Sequence, residues 1–289
     1  MKMGKISKRE WKYIVISGAF LGGVASGVLC WFLSSPGSLV SAFLGGGLGT
    51  ALYGLALLIL ASTNIKLNEL RESVVNQLKN NRIELRSMTN LRPLLSDDIL
   101  LQYGGWSMGA SLGETIARLV LRERPKLVVE CGSGASTLLV ASCLQRFGNN
   151  DQIIALDHEA KYAQKTRNLL REHGLQSGAD VRTVPLESWQ INGEDMPWYG
   201  VDLSSLPEED IDMLIVDGPP GWNKPKARYP VVPVLKNHLS QECTIVVDDG
   251  DRPGERESAK RWANLLDCEL KYEESPKGTW ILHRNNQSS

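Results

Sequence analysis

The sequence predicts an α/β protein: a mostly parallel β-sheet closed by an antiparallel strand pair, preceded by a transmembrane helical hairpin. Three observations point there. No charged residue falls among the 53 positions between Lys12 and Lys66. From Leu91 onward, short apolar runs alternate with helical stretches, the pattern of parallel strands covered by helices on both faces. The last two runs, 269–274 and 279–283, flank Pro276-Lys277-Gly278 and depart from that alternation, as an antiparallel edge hairpin would.

Composition narrows the functional classes. The 289 residues carry 32 basic and 33 acidic side chains, so a globally basic nucleic-acid binder is excluded and no nucleic-acid partner is expected. Five cysteines (Cys30, Cys131, Cys143, Cys243, Cys268) form no CxxC pair, and four histidines show no HExxH spacing. This argues against a disulfide framework and against structural zinc, and it favours a reducing compartment.

Residues 13–33 form an uncharged run whose helix would be about 31 Å long, matching a bilayer's hydrocarbon core. Ser34-Ser35-Pro36-Gly37-Ser38 is a turn by composition, and residues 39–62 form a second uncharged run. Gly18/Gly22, Gly23/Gly27 and Gly45/Gly49 have the small-xxx-small spacing that lets helices pack closely, on each other or on a second copy in a homodimer. Basic residues crowd the tail 1–12 and follow the second span at Lys66, Arg71, Lys79, Arg82 and Arg86, while the turn has none. Both ends are therefore expected to be cytoplasmic, making this a two-span protein of the inner membrane. Residues 63–90 read as a helical stalk, with Leu67, Leu70, Val74 and Leu78 on one stripe. The domain proper is placed at 91–289.

Within it, 112–124 reads as a helix ended by Pro125, and 126–130 as the first strand. A helix through about 146, a strand at 152–157 and a helix at 160–173 follow. Strands are expected at 181–186, 211–216 and 243–247, then a helix near 255–266 and the closing pair.

In an open parallel sheet, ligands bind at the carboxyl ends of the strands. The residues found there are Glu130-Cys131-Gly132-Ser133-Gly134 after the first strand and Asp157 after the second. Asp217-Gly218-Pro219-Pro220-Gly221 and Asp248-Asp249-Gly250-Asp251 follow the fourth and fifth. Two glycines allow a tight turn and close backbone approach, and Asp157 can accept hydrogen bonds from both hydroxyls of a ribose. Glu130, directly before the turn, would repel a pyrophosphate but suits an ammonium or sulfonium group. Thr137 occupies the third position of the dinucleotide fingerprint, which weakens a nicotinamide-cofactor reading without removing it.

Glu130-x-Gly132-x-Gly134, the acid at 157 and the closing strand pair together resemble class I S-adenosylmethionine-dependent methyltransferases. Gly105-Trp106-Ser107-Met108, Val216-Asp217-Gly218-Pro219-Pro220 and Val247-Asp248-Asp249-Gly250-Asp251-Arg252-Pro253 resemble a bacterial branch of them. The resemblance covers about 91–284 and implies a Rossmann-like, seven-stranded sheet with S-adenosylmethionine as cofactor. It implies that Glu130, Gly132, Ser133 and Gly134 hold the methionine moiety and that Asp157 binds the ribose. His158, Leu186 and Glu187 would lie near the adenine, and Trp106 and Met108 would close over the cofactor. A narrower similarity to catechol-type O-methyltransferases implies that Asp217, Asp248 and Asp249 bind magnesium or another divalent cation. This chain departs from that pattern in having Asp249 where an amide is usual, and no lysine soon after Asp217. The metal-free alternative makes Asp217 or Asp248 a general base. The loop 221–229, with Lys224, Lys226 and Arg228, reads either as a contact for a phosphate or sugar of the acceptor or as a solvated loop. The expectation is thus O-methylation of a small lipid-linked or membrane-proximal acceptor. The rivals are an NAD(P)-binding oxidoreductase and a catalytically silent membrane scaffold.

Overall fold

The computed structural model describes residues 24, 28, 39–95, 108–147, 151–206, 210–221 and 226–284. The first expected span and the Ser-Pro-Gly turn fall outside the described residues, apart from Val24 and Val28, which are helical. The chain divides into two compact units, 1–78 and 79–289.

In the first unit, the second expected span and the stalk are not separate elements. One helix, α1, runs Leu39–Leu91 without interruption. Nothing from 55 to 91 breaks it, because that stretch contains neither Gly nor Pro. The change at 62 is in polarity, not in conformation. This helix is long and apolar enough to cross a membrane. Leu52, Leu55, Leu58, Ile59 and Leu60 on it are all more than half exposed.

The second unit is built on a seven-stranded sheet. Its elements are α2 (Ala110–Glu123), β1 (Leu127–Cys131), α3 (Ala135–Gln145), β2 (Gln152–Asp157), α4 (Ala160–Glu172) and β3 (Ala179–Thr183). A hairpin of β4 (Leu186–Ile191) and β5 (Glu194–Tyr199) precedes β6 (Ile211–Val216), α5 (Val231–Leu235) and β7 (Leu239–Val247). The chain closes with α6 (Pro253–Leu266), β8 (Cys268–Glu273) and β9 (Thr279–Arg284). The sheet order is β3-β2-β1-β6-β7-β9-β8. The first five strands are parallel, and β9 runs antiparallel to both β7 and β8.

Strand alternation sorts the core into two layers. Val128, Ile153, Ala155, Met213, Ile215 and Val246 face α2 and α3. Val129, Cys131, Leu156, Leu214, Val216 and Val247 face α5, α6 and the β4–β5 hairpin, where Trp198 and Trp262 are fully buried. With both faces covered, the central strands read as continuous apolar runs.

The expected third strand, 181–186, needs correction. β3 ends at Thr183, and Leu186 and Glu187 open β4. The hairpin turns at Asn192-Gly193, whose φ angles of 53° and 84° suit a two-residue turn matching the strands' twist.

The last turns of α1 belong to this second unit. Glu84 accepts from the backbone N–H of Ala110 (2.6 Å) and of Ser111 (3.3 Å), capping α2, whose Gly109 N-cap has no side chain to do so. Ser87, fully buried, donates to Glu114, and Asn90 does so at 2.6 Å.

Candidate functional site

The sheet register aligns the chemistry. Cys131 pairs with Leu156 on one side and Val216 on the other, and Val216 pairs with Val247. Gly132, Asp157, Asp217 and Asp248 each come one step later, so they form a row across the carboxyl edge. Neighbouring strands lie about 4.8 Å apart, so adjacent members are within reach of one ligand.

The left half of the row is a glycine turn. Gly132 and Gly134 have φ of 114° and 149°, backbone that a side chain rarely adopts. A Cβ on Gly134 would meet nothing within 4 Å, so the turn leaves open space on that face. Glu130 builds this turn from behind. Alternation points it to the α3 face, where Ser136 and Thr137 donate to its two oxygens, Thr137 at 2.7 Å. Thr137 in turn accepts from the Gly134 N–H at 2.9 Å. Burial, opposed by those two hydrogen bonds and assisted by Asp217 and Asp157, lifts the Glu130 carboxyl to about 7.

Asp157 accepts from Ser133 Oγ at 2.5 Å and from the Glu159 N–H at 2.9 Å. It is buried, with His158 Nδ1 4.0 Å away. His158 also meets the Tyr199 ring edge-on, with centroids 6.3 Å apart. Leu186 and Glu187 lie at the exposed base of the hairpin, and a Cβ on Gly200 would strike Glu187 at 2.3 Å. Trp106 lies outside the described residues. Met108 is core: it is 3% exposed and packs with Leu91 and Ile116.

In the right half, Asp217, Asp248 and Asp249 each bring an oxygen within 4.8 Å of the others. The sequence reading missed what lies among them. Arg228, 4% exposed, donates through Nη1 to the Asp248 carbonyl (3.1 Å) and through Nη2 to Asp249 (3.0 Å) and Asp217 (3.4 Å). Arg252 reaches Asp249 at 3.1 Å, and Lys277 stands 3.9 Å from Asp248 and 3.8 Å from Asp249. Burial works against the Arg228 charge, but Asp217, Asp249, Glu255 and Asp248 outweigh it and raise its pKa. Asp248 is pushed up to about 7 by burial, then by repulsion from Asp217 and Asp249, with Lys277 opposing.

Neither reading of loop 221–229 describes Arg228, which is turned inward, or Lys226, which pairs with Glu257 at 2.8 Å. Lys224 lies outside the described residues. The available signal was position: Arg228 stands between Ala227 and the apolar run Tyr229-Pro230-Val231-Val232. A charge there must find partners once the run is buried.

The seven-stranded sheet with its antiparallel final pair is the arrangement that the resemblance to class I methyltransferases implied. Residues 129–250 match the family described as methyltransferase domain, which spans the strands that carry this row. No curated protein matches the chain. Similar solved structures include an O-methyltransferase from Bacillus cereus in complex with S-adenosylhomocysteine (SAH). It is 14% identical, covers 73% of this chain and 97% of its own, and has a TM-score of 0.45. Another is an O-methyltransferase from Streptomyces achromogenes in complex with S-adenosylmethionine, 17% identical over 63% and 82%, TM-score 0.45. A third is an SAH-bound methyltransferase from Podospora anserina, 14% identical over 76% and 96%, TM-score 0.46. The methyltransferase-domain match thus falls on β1 to β7 of the second unit, the stretch that supplies the row.

Proposed function

We propose that this chain is a membrane-anchored, S-adenosylmethionine-dependent methyltransferase acting on a hydroxyl of a small, lipid-linked or membrane-proximal acceptor. The observation that carries the reading is the aligned row, an open glycine turn beside Asp157 on one half and the half-buried Asp217 beside the buried Asp248 on the other. When bound, S-adenosylmethionine supplies an electrophilic methyl group on a sulfonium.

The residues present suit such a group. The Gly132–Gly134 turn leaves space where backbone can approach the methionine moiety. Ser133 and Asp157 offer a hydroxyl and a carboxylate to a ribose, with His158, Leu186 and Glu187 on the adenine side. Glu130 shapes the turn from behind through Ser136 and Thr137. On the right half, Asp248 is suited to take the acceptor's proton, since a carboxylate titrating near neutrality is partly free to accept one and still basic enough to hold it. At 4% exposure, that carboxylate is kept out of bulk water.

The apolar stretch of α1 supports anchoring, and the basic flanks support a cytoplasmic catalytic unit in a two-span inner-membrane protein. Self-association through the spans or stalk belongs to the same reading and rests on the small-residue spacings. The test is transfer of labelled methyl from S-adenosylmethionine in membranes expressing the wild type or Asp248→Asn. Label entering an organic-extractable fraction only with wild type supports the reading. SAH binding without transfer to any fraction would point instead to a silent scaffold.

A further inference from the structure

The acidic trio is where a divalent ion would be sought, and the fold has put a guanidinium there. A magnesium-like ion asks for free oxygens arranged about one point, with water completing its shell. Here Asp249 Oδ2 already accepts from Arg228 (3.0 Å) and lies 3.1 Å from Arg252, while its Oδ1 faces Lys277 at 3.8 Å. The same Arg228 nitrogen that meets Asp249 also meets Asp217. Its other terminal nitrogen is spent on the Asp248 carbonyl. A planar guanidinium is suited to this, because its fork holds several acceptors in fixed directions where a lysine offers one point.

Charge leads the same way. The trio alone would carry three negative charges. With Glu255, whose Oε1 is 3.8 Å from Arg228 Nε, the carboxylates number four, and Arg228, Arg252 and Lys277 supply three positive charges against them. Four carboxylates against three cations leave at most one net negative charge, so a dication would enter a site largely compensated, beside a buried guanidinium. Among the described residues, Arg228 Nε has no hydrogen-bond partner, while both terminal nitrogens donate to the trio.

We propose that Arg228 is the resident cation of this site, a positioning residue that holds Asp217, Asp248 and Asp249 in the arrangement a divalent ion would otherwise impose. The proposal rests on the methyltransferase reading only in making the trio part of the acceptor site. Such a chain needs no bound metal to order its carboxylates, and deleting the guanidinium creates a metal site.

The test titrates the full-length chain in detergent with Mn2+, following free ion by its paramagnetic resonance signal. Wild type should leave the ion free. Arg228→Met should take up one ion per chain, about tenfold or more tighter than wild type, and Asp249→Asn added to it should abolish the uptake. Arg228→Lys, which keeps a charge, should stay close to wild type. Stoichiometric Mn2+ binding by wild type that Asp249→Asn removes would overturn the proposal. So would a folded Arg228→Met that gains no binding. Should Arg228→Met fail to fold by circular dichroism, the wild-type titration decides alone, silence supporting the proposal and stoichiometric uptake overturning it. SAH affinity measured on the same samples separates this from the methyltransferase reading, which can fail while the Mn2+ comparison stands.

Discussion

Glu130 makes the acid–base state of the glycine turn measurable as stability. In the folded chain its carboxyl is lifted to about 7 by burial, against an ordinary value of 4.5. The folded state therefore holds a proton that the unfolded state has lost between about pH 4.5 and pH 7. Stability must fall as pH rises across that window and level off above it. Each pH unit is worth about 1.4 kcal/mol, so the full loss is about 3 kcal/mol. Glu130→Gln removes the titration while keeping the shape. It also forfeits one hydroxyl hydrogen bond, because Ser136 and Thr137 donate to separate carboxylate oxygens and the amide nitrogen that replaces one of them cannot accept, a pH-independent cost of about 1 kcal/mol. Urea unfolding of both chains from about pH 5 to pH 8 reads the effect. Asp248 adds a slope of the same sign to both proteins and cancels in their difference. The wild-type advantage over Glu130→Gln should shrink by about 3 kcal/mol from the acid to the alkaline end and reverse in sign. A difference constant across pH within about 0.5 kcal/mol would refute the burial argument.

Further outcomes follow from the same geometry. Asp157→Ala should weaken SAH binding by about ten- to a hundredfold, equivalent to about 1.5–3 kcal/mol, with an unchanged circular dichroism spectrum; an unaltered dissociation constant would remove Asp157 from the site. Once an acceptor is in hand, wild-type turnover should rise through about pH 7 as Asp248 deprotonates, and Asp248→Asn should lose that limb along with most activity. An acidic limb retained in the variant would assign the base elsewhere. Reporters fused at residues 2, 36 and 289 should place both ends in the cytoplasm and residue 36 outside it; an exported C-terminus would contradict the topology.

The strands and the row were legible because a parallel sheet leaves a plain record. The run 152–157 matches β2 to the residue, since burial on both faces requires an unbroken apolar run, here ended by the carboxylate of Asp157. The β4–β5 hairpin was missed although Asn192-Gly193 announces it, because Trp189, Pro197 and Trp198 do not read as a simple alternation. Leu186 and Glu187 were therefore placed at the end of a strand, not the start of a hairpin. Arg228 could not be chosen over Lys224 and Lys226 from composition. Its partners Asp217 and Asp249 lie 11 and 21 residues away and meet it only after β6 and β7 pair. The stalk was separated from the second span because polarity changes at 62, and polarity records the surroundings of a helix more directly than its continuity.

The central claim is tested most directly by calorimetry of the full-length chain in detergent with SAH and, separately, with NAD. The account predicts one SAH bound per chain, no heat from NAD, and an SAH affinity that falls about ten- to a hundredfold in Asp157→Ala. Binding of NAD with none of SAH would contradict it.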